Sequence, residues 1–353
     1  MKKIICMICL LLILSLTLTG CTFLSFLNRT KLASYSKDVG PSQVIKTEKY
    51  WVSLINEYGK SDYSISVSDT SEKLVGIYSV EDVGIWYFEA NDNGVVWCES
   101  SEESYSYKFY GFSDKEVKTI HEAPKSAGYQ PQNVGIFLDK VYFTFIDYEN
   151  QTINVCEYEI ETESINVFDS YEWVLDKIPY PISVENGYLS FAYSEYIKVI
   201  NLNTEEVVFK ADLPENSRKV FAVSYDSIND TCALYYADAD SEDIGIFKEE
   251  DSAIRSVFTF EKNIYAYEDK IRCVDGHIYW IEQINYSGYI TDHYQLIDYS
   301  YFDGKKTETK RTFYFNCNEH GMYLLRFNRR GDYTGVELYE LSDEVEWKTR
   351  FGI

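Results

Sequence analysis

Asp238, Asp240 and Glu242 occupy alternate positions in the run Asp238-Ala239-Asp240-Ser241-Glu242-Asp243-Ile244-Gly245, and Glu249 stands twelfth counting from Asp238. Carboxylate oxygens at that spacing suit a hard cation such as calcium. The sixth position is Asp243, where a calcium loop requires glycine, and Glu249 falls in an expected strand. A solvated acidic loop therefore stands beside calcium as the second reading. A different chemistry is suggested by aromatic rings set among Gly, Pro and Ser. These are Tyr286 and Tyr289 in Asn285-Tyr286-Ser287-Gly288-Tyr289, and Trp173 and Tyr180 in the stretch from Tyr171 to Pro181; Gly128-Tyr129-Gln130-Pro131 has the same composition. Rings presented by loops bind sugars or peptides, and Trp173, Tyr180, Tyr286 and Tyr289 are the candidates; rings that merely cap the ends of sheets are the alternative.

Cys21 offers a third chemistry. Lys2 and Lys3 precede an uncharged apolar stretch from Ile4 to Leu16, and Leu18-Thr19-Gly20 lead into the cysteine. A basic start, a short apolar middle and a small-residue cleavage site make a secretory signal. The apolar stretch is shorter than the roughly 20 residues a spanning helix needs. Leu18-Thr19-Gly20-Cys21 resembles the bacterial lipobox, and the resemblance implies diacylglycerol on the Cys21 sulfur and cleavage before it. Residues 1–20 are then a leader and 21–38 a flexible tether carrying the lipid. The expected location is the outer face of the cytoplasmic membrane, or the outer membrane where the source has one.

Other catalytic signatures are missing from the sequence. It contains neither a G-x-S-x-G elbow nor a Gly-rich phosphate loop. The four histidines, His121, His277, His293 and His320, lack ligand spacing to any cysteine pair. Of eight cysteines, Cys6 and Cys9 leave with the leader and Cys21 takes the lipid. Cys98, Cys156, Cys232, Cys273 and Cys317 remain, an odd number without a C-x-x-C pair, and are expected to be buried free thiols. Paired carboxylates for glycoside chemistry stay open, because 57 acidic residues leave many candidates.

The net charge of −24 falls by two, to −26, once Lys2 and Lys3 leave with the leader. Such a charge repels nucleic acid and anionic lipid surfaces. It does not prevent folding, since 45% of the residues are hydrophobic and 17% aromatic, with 33 tyrosines.

A polar turn followed by a β-forming run recurs through the chain: Asn93-Gly94-Val95-Val96-Trp97, Asp139-Lys140-Val141-Tyr142-Phe143, Asn186-Gly187-Tyr188-Leu189, Asp230-Thr231-Cys232-Ala233, Asp275-Gly276-His277-Ile278 and His320-Gly321-Met322-Tyr323. The second turn residues fall at 94, 140, 187, 231, 276 and 321, spaced 46, 47, 44, 45 and 45 apart. One step further back, Lys49 precedes a weaker copy, Tyr50-Trp51-Val52-Ser53-Leu54. Each unit reads as four short antiparallel strands. Because Val141 to Ile146 and Ile278 to Ile281 are apolar on both faces, the strands need burial on both sides. Four-stranded blades packed radially supply it. The expected fold is all-β, a single β-propeller over residues 39–353 with seven four-stranded blades (six being the alternative), at 39–83, 84–130, 131–178, 179–221, 222–265, 266–311 and 312–353.

Asp275-Gly276-His277-Ile278-Tyr279-Trp280, with Ile200-Asn201-Leu202-Asn203-Thr204-Glu205 for a later strand and its turn, resembles the blades of bacterial lipoprotein propellers of the TolB-like and low-density-lipoprotein-receptor-like type. The likeness runs from about residue 40 onward and implies a blade, not an activity. The expected function is a membrane-anchored extracytoplasmic binding or protein-assembly module, with carbohydrate or an envelope protein as partner, calcium as the one conceivable cofactor, and no nucleic acid. A propeller hydrolase with paired carboxylates is the alternative.

Overall fold

A computed structural model describes residues 29–30 and 39–340, apart from the stretches 58–62, 70–73, 81–82, 126–132, 148–149, 173–180, 194–195, 214–218, 238–240, 249–253, 261–263, 285–293, 311, 319–320 and 327–336. The described residues are all β and form one propeller without helices. A two-residue strand, β1 (Arg29–Thr30), comes first. Blade 1 follows as β2 (Val39–Lys46), β3 (Tyr50–Glu57), β4 (Tyr63–Asp69) and β5 (Leu74–Val80). Blade 2 is β6 (Gly84–Ala90), β7 (Gly94–Ser100), β8 (Ser104–Gly111) and β9 (Val117–Pro124). Blade 3 is β10 (Gly135–Phe137), β11 (Lys140–Asp147), β12 (Thr152–Glu159) and β13 (Ser164–Glu172). Blade 4 comprises β14 (Ile182–Glu185), β15 (Tyr188–Ala192), β16 (Tyr196–Asn201) and β17 (Glu206–Asp212). Blade 5 comprises β18 (Lys219–Asp226), β19 (Thr231–Ala237), β20 (Glu242–Lys248) and β21 (Arg255–Thr259). Blade 6 comprises β22 (Ile264–Val274), β23 (His277–Ile284), β24 (Tyr294–Ser300) and β25 (Lys306–Lys310).

The last strands, β26 (Thr312–Asn318), β27 (Gly321–Arg326) and β28 (Glu337–Glu340), form a composite sheet in the order β1-β28-β27-β26. The seven contiguous four-stranded units expected from the repeat are thus six contiguous blades and a sheet shared by both ends of the chain. The C-terminal part supplies three strands, and the edge of β28 is covered by β1, with Arg29 opposite Tyr339 and Thr30 opposite Leu338. An uncovered edge would leave unpaired N–H and C=O groups open to another chain. β1 lies inside the segment read above as a flexible tether.

The marker turns join the first and second strands of the blades. At Asn186-Gly187 and Asp275-Gly276 both central residues have positive φ (51° and 78°; 47° and 82°). That is a type I′ turn, whose twist matches the flanking strands and which glycine adopts without strain.

Alternation along the second strands explains why they are apolar throughout. In β7, Val95 and Trp97 enter the core between blades 1 and 2, while Val96 and Cys98 enter the core between blades 2 and 3. In β23, Ile278 and Trp280 face blade 5, and Tyr279 and Ile281 face the composite sheet. Trp97 and Trp280 are 0% exposed. Cys98, Cys156, Cys232, Cys273 and Cys317 are buried free thiols within these cores, and burial pushes the Cys156 thiol up to about 12. The ring closes where β2 packs on β26 and β27.

Candidate functional site

The first strand of each blade lines the propeller axis, and there the regular alternation is interrupted. Bulges fall in β2 between Pro41 and Gln43, in β6 between Trp86 and Phe88, in β18 between Val220 and Ala222, and in β22 between Ala266 and Ile271. A bulge re-aims side chains and often sits beside a functional site. In β6 the extra residue is Tyr87, whose φ of 47° is strained for a bulky side chain. Ile85 and Phe88 consequently pack against the core between blades 1 and 2, and Tyr87 against the next one. Trp86 is left 40% exposed. In β22 the residues from Tyr267 to Lys270 have no register partner on β23, which makes this strand the longest in the fold.

These strands enclose an axial cavity of about 330 Å³ lined by residues from all six blades. Gln43 comes from β2, Trp86 and Glu89 from β6, Asn133 from the approach to β10, Ser183 from β14, Ala222 from β18, and Lys270 and Arg272 from β22. Arg272 reaches across the axis. Its Nη1 donates to Glu185 Oε1 in blade 4 and to Ser183 Oγ (3.3 Å), and its Nη2 donates to Glu89 Oε1 in blade 2 (3.4 Å). Lys270 Nζ lies 4.0 Å from the same Glu89 oxygen and 5.2 Å from the Tyr314 ring centroid. Glu185 is also held by Ser183 Oγ and by Ser224 Oγ (2.7 Å), which in turn accepts from Cys273 N–H (2.8 Å). Among the described side chains, two carboxylates and two cations thus meet around one cavity.

Burial alone would weaken the guanidinium charge, but Glu185 and then Glu89 outweigh it and hold the Arg272 pKa above its ordinary value. Arg272 is 9% exposed, and its Nε has no hydrogen-bond partner among the described residues. An unmet buried N–H costs about 1–3 kcal/mol. Buried ion pairs often stabilise no better than apolar packing would.

No family model matches the sequence, and no curated protein does. Among solved structures, the fold is similar to the β-propeller domain of the Trilobed protease from Pyrococcus furiosus, at 11% identity and a TM-score of 0.56, over 88% of this chain and 98% of that one. It is also similar to Pyrococcus horikoshii acylaminoacyl peptidase, at 10% identity and a TM-score of 0.51, over 88% of this chain and 54% of that one. A prolyl endopeptidase matches at 10% identity and a TM-score of 0.50, over 84% of this chain and 48% of that one. The chain spans about half the length of these two peptidases. Likeness at such identities shows the propeller fold and nothing of the chemistry.

The residues singled out from sequence lie mostly elsewhere. Cys21, Trp173, Tyr180, Tyr286, Tyr289, Asp238 and Asp240 fall outside the described residues. Glu242 opens β20 and accepts a hydrogen bond from Tyr235 Oη, and the neighbouring Asp243 accepts from Ser241, Ser256 and Thr259. Among the described residues no three His, Cys, Asp or Glu side chains cluster as a metal would require. No helix among them is long and apolar enough to cross a membrane.

Arg272, Glu185, Glu89 and Lys270 escaped the sequence reading. Their signal was present: each of Glu89, Glu185 and Arg272 is a charged residue in the apolar strand running into a marker turn, where a blade core would want a hydrophobic side chain.

Proposed function

We propose that this chain is a lipid-anchored extracytoplasmic module that binds its partner at the axial cavity and the loop face around it, with the composite sheet acting as the closing seventh blade. The anchor would be the acylated Cys21, and the setting the outer face of the cytoplasmic membrane, or the outer membrane where one exists. The observation that carries the binding reading is the Arg272 network. Among the described side chains, Glu89 lines the cavity and Glu185 lies beside it, and both are tied to the same guanidinium. A glycoside hydrolase needs one carboxyl group free to give a proton and another free to attack or to activate water. Carboxylates neutralised by Arg272 instead shape a binding site.

Topology supports a contribution from the aromatic loops. In a four-stranded antiparallel blade, connections from the second to the third strand leave from the same face as those leading to the next blade. Tyr286 and Tyr289 lie between β23 and β24, and Trp173 and Tyr180 between β13 and β14, so both connections depart from that face.

Fatty-acid labelling in cells tests the anchor: Cys21→Ala should abolish the label, and its persistence would refute lipidation. Capture from detergent-solubilised membranes, run beside a glycan array and a glycosidase and esterase screen, tests the binding role. Retention of one partner, lost in Trp86→Ala or in Trp173→Ala, Tyr286→Ala and Tyr289→Ala, is the expected result. Turnover that disappears in Glu89→Gln or Glu185→Gln would overturn binding in favour of hydrolysis.

A further inference from the structure

We infer that the ligand of the axial cavity is a neutral saccharide, recognised by its terminal one or two sugar rings; the inference rests on the binding reading above and names its ligand class. Charge parity is the first ground. Among the described side chains, Glu89 and Glu185 are matched by Lys270 and Arg272, so a charged ligand would bring into a partly dry site a charge that this set does not compensate, which is costly. An anion would in addition meet the overall charge of −24. An uncharged ligand leaves the network as it stands.

Trp86 is the second ground. Trp86 is 40% exposed and lines the cavity, whose other large apolar lining residues pack into the blade cores. It is flanked by Tyr105, with centroids 6.4 Å apart at 75°, and by Tyr87 at 6.5 Å. The electron-rich face of an indole packs well against weakly positive C–H groups, and one side of a pyranose ring is such a surface. The hydroxyls around the rim of that ring need both donors and acceptors. Gln43 and Asn133 carry amides with both, Lys270 donates and Glu89 accepts.

The third ground is size and closure. A volume of about 330 Å³ sits at the lower end of small-molecule sites. Because Arg272 spans the axis from blade 6 to blades 2 and 4, a polymer cannot thread through and only an end can enter. A peptide end would bring a charged amine or carboxylate, and so fits less well than a glycan end.

The test is calorimetry and tryptophan fluorescence on the detergent-solubilised full chain. The probes are methyl glycosides of glucose, galactose, mannose and N-acetylglucosamine, with N-acetylneuraminic acid, glucosamine and trialanine as charged comparators. At least one neutral glycoside should bind saturably, weaken tenfold or more in Trp86→Ala, and recover most of that loss in Trp86→Phe, with unchanged melting temperatures as the control for folding. Binding of charged comparators alone, still dependent on Trp86, would overturn the neutral-saccharide assignment while leaving the cavity as the binding site. Failure of every neutral glycoside to bind would overturn the assignment too. Neutral binding indifferent to Trp86 would overturn both the assignment and the cavity reading on which it rests.

Discussion

Arg272 and Glu185, 87 residues apart in the chain and on the inner strands of two different blades, meet beside the propeller axis in a buried charge-assisted hydrogen bond. Their side chains are 11% and 12% exposed, so neither charge is well solvated alone. Breaking such a pair from one side leaves the other charge buried and unmatched, which costs about 3–5 kcal/mol. Arg272→Met should therefore lower unfolding free energy strongly, and Glu185→Gln less, because an amide oxygen at the Oε1 position can still accept from Arg272 and Ser183. The double variant should be more stable than the sum of the two losses predicts, as coupled neighbours are. Additive losses in urea unfolding would mean that the two residues do not act as a pair.

Asp226 should be among the costliest single carboxylates to remove. It is 1% exposed and ties the turn of blade 5 to blade 6, accepting from Ile228 N–H (3.0 Å), Asn229 N–H (3.3 Å) and Nδ2 (3.0 Å), Gly276 N–H (2.8 Å) and Tyr301 Oη (3.0 Å). Asp226→Ala strands several buried donors, each worth about 1–3 kcal/mol when unmet. A loss of at least about 3 kcal/mol is expected on that basis. Asp226→Asn, which keeps one acceptor oxygen, should cost less. A loss below 1 kcal/mol in Asp226→Ala would show that this inter-blade tie is not what holds the turn.

The propeller was legible because the residues that specify a blade are local. The markers at 94, 140, 187, 231, 276 and 321 all fall at the junction of first and second strands, and β10 to β13 form the four antiparallel strands expected of one unit. The composite sheet was not legible, since β1 is two residues long, carries no repeat motif and pairs with a strand some 300 residues away. The cavity was not legible for a related reason. Glu89, Glu185 and Arg272 acquire their meaning only when the ring closes, and pairwise separations of 87 and 183 residues leave no spacing to read. What could be read was their anomaly: charges in apolar strands, and in β22 a run too long for one register.

His121 should make stability depend on pH in a narrow window. Its ring lies 4.5 Å from that of Phe145 and 5.9 Å from that of Phe143. Burial lowers its pKa from the usual 6.5, against a weaker upward pull from Glu122. The folded state therefore binds this proton less readily than the unfolded chain does. Stability from this group is fully present above pH 6.5 and is lost as pH falls from there towards the lowered folded pKa. His121→Gln should flatten that part of the profile and leave the slope above pH 7 unchanged. Identical slopes in the two proteins between pH 5 and 6.5 would refute the assignment.

Asn318 closes the ring from the other end of the chain, and its replacement separates a hydrogen-bonding role from simple packing. Its Nδ2 donates to the Lys46 carbonyl at 3.0 Å across 272 residues, joining the end of β26 to the end of β2. A comparable tie links blades 2 and 3, where Asn91 and Asn93 both donate to the Leu138 carbonyl (2.7 and 2.8 Å). Losing one such bond by Asn318→Ala should cost about 1 kcal/mol. Asn318→Asp keeps the shape but sets a carboxylate oxygen against the Lys46 carbonyl, so it should cost more than alanine at pH 7. Lowering the pH to about 4, near the ordinary carboxyl pKa, should recover part of that difference, because the protonated acid can donate again. Urea unfolding of the two variants at both pH values reads this directly. If aspartate is no worse than alanine at pH 7, the Asn318 side chain does not close the ring by donating to Lys46.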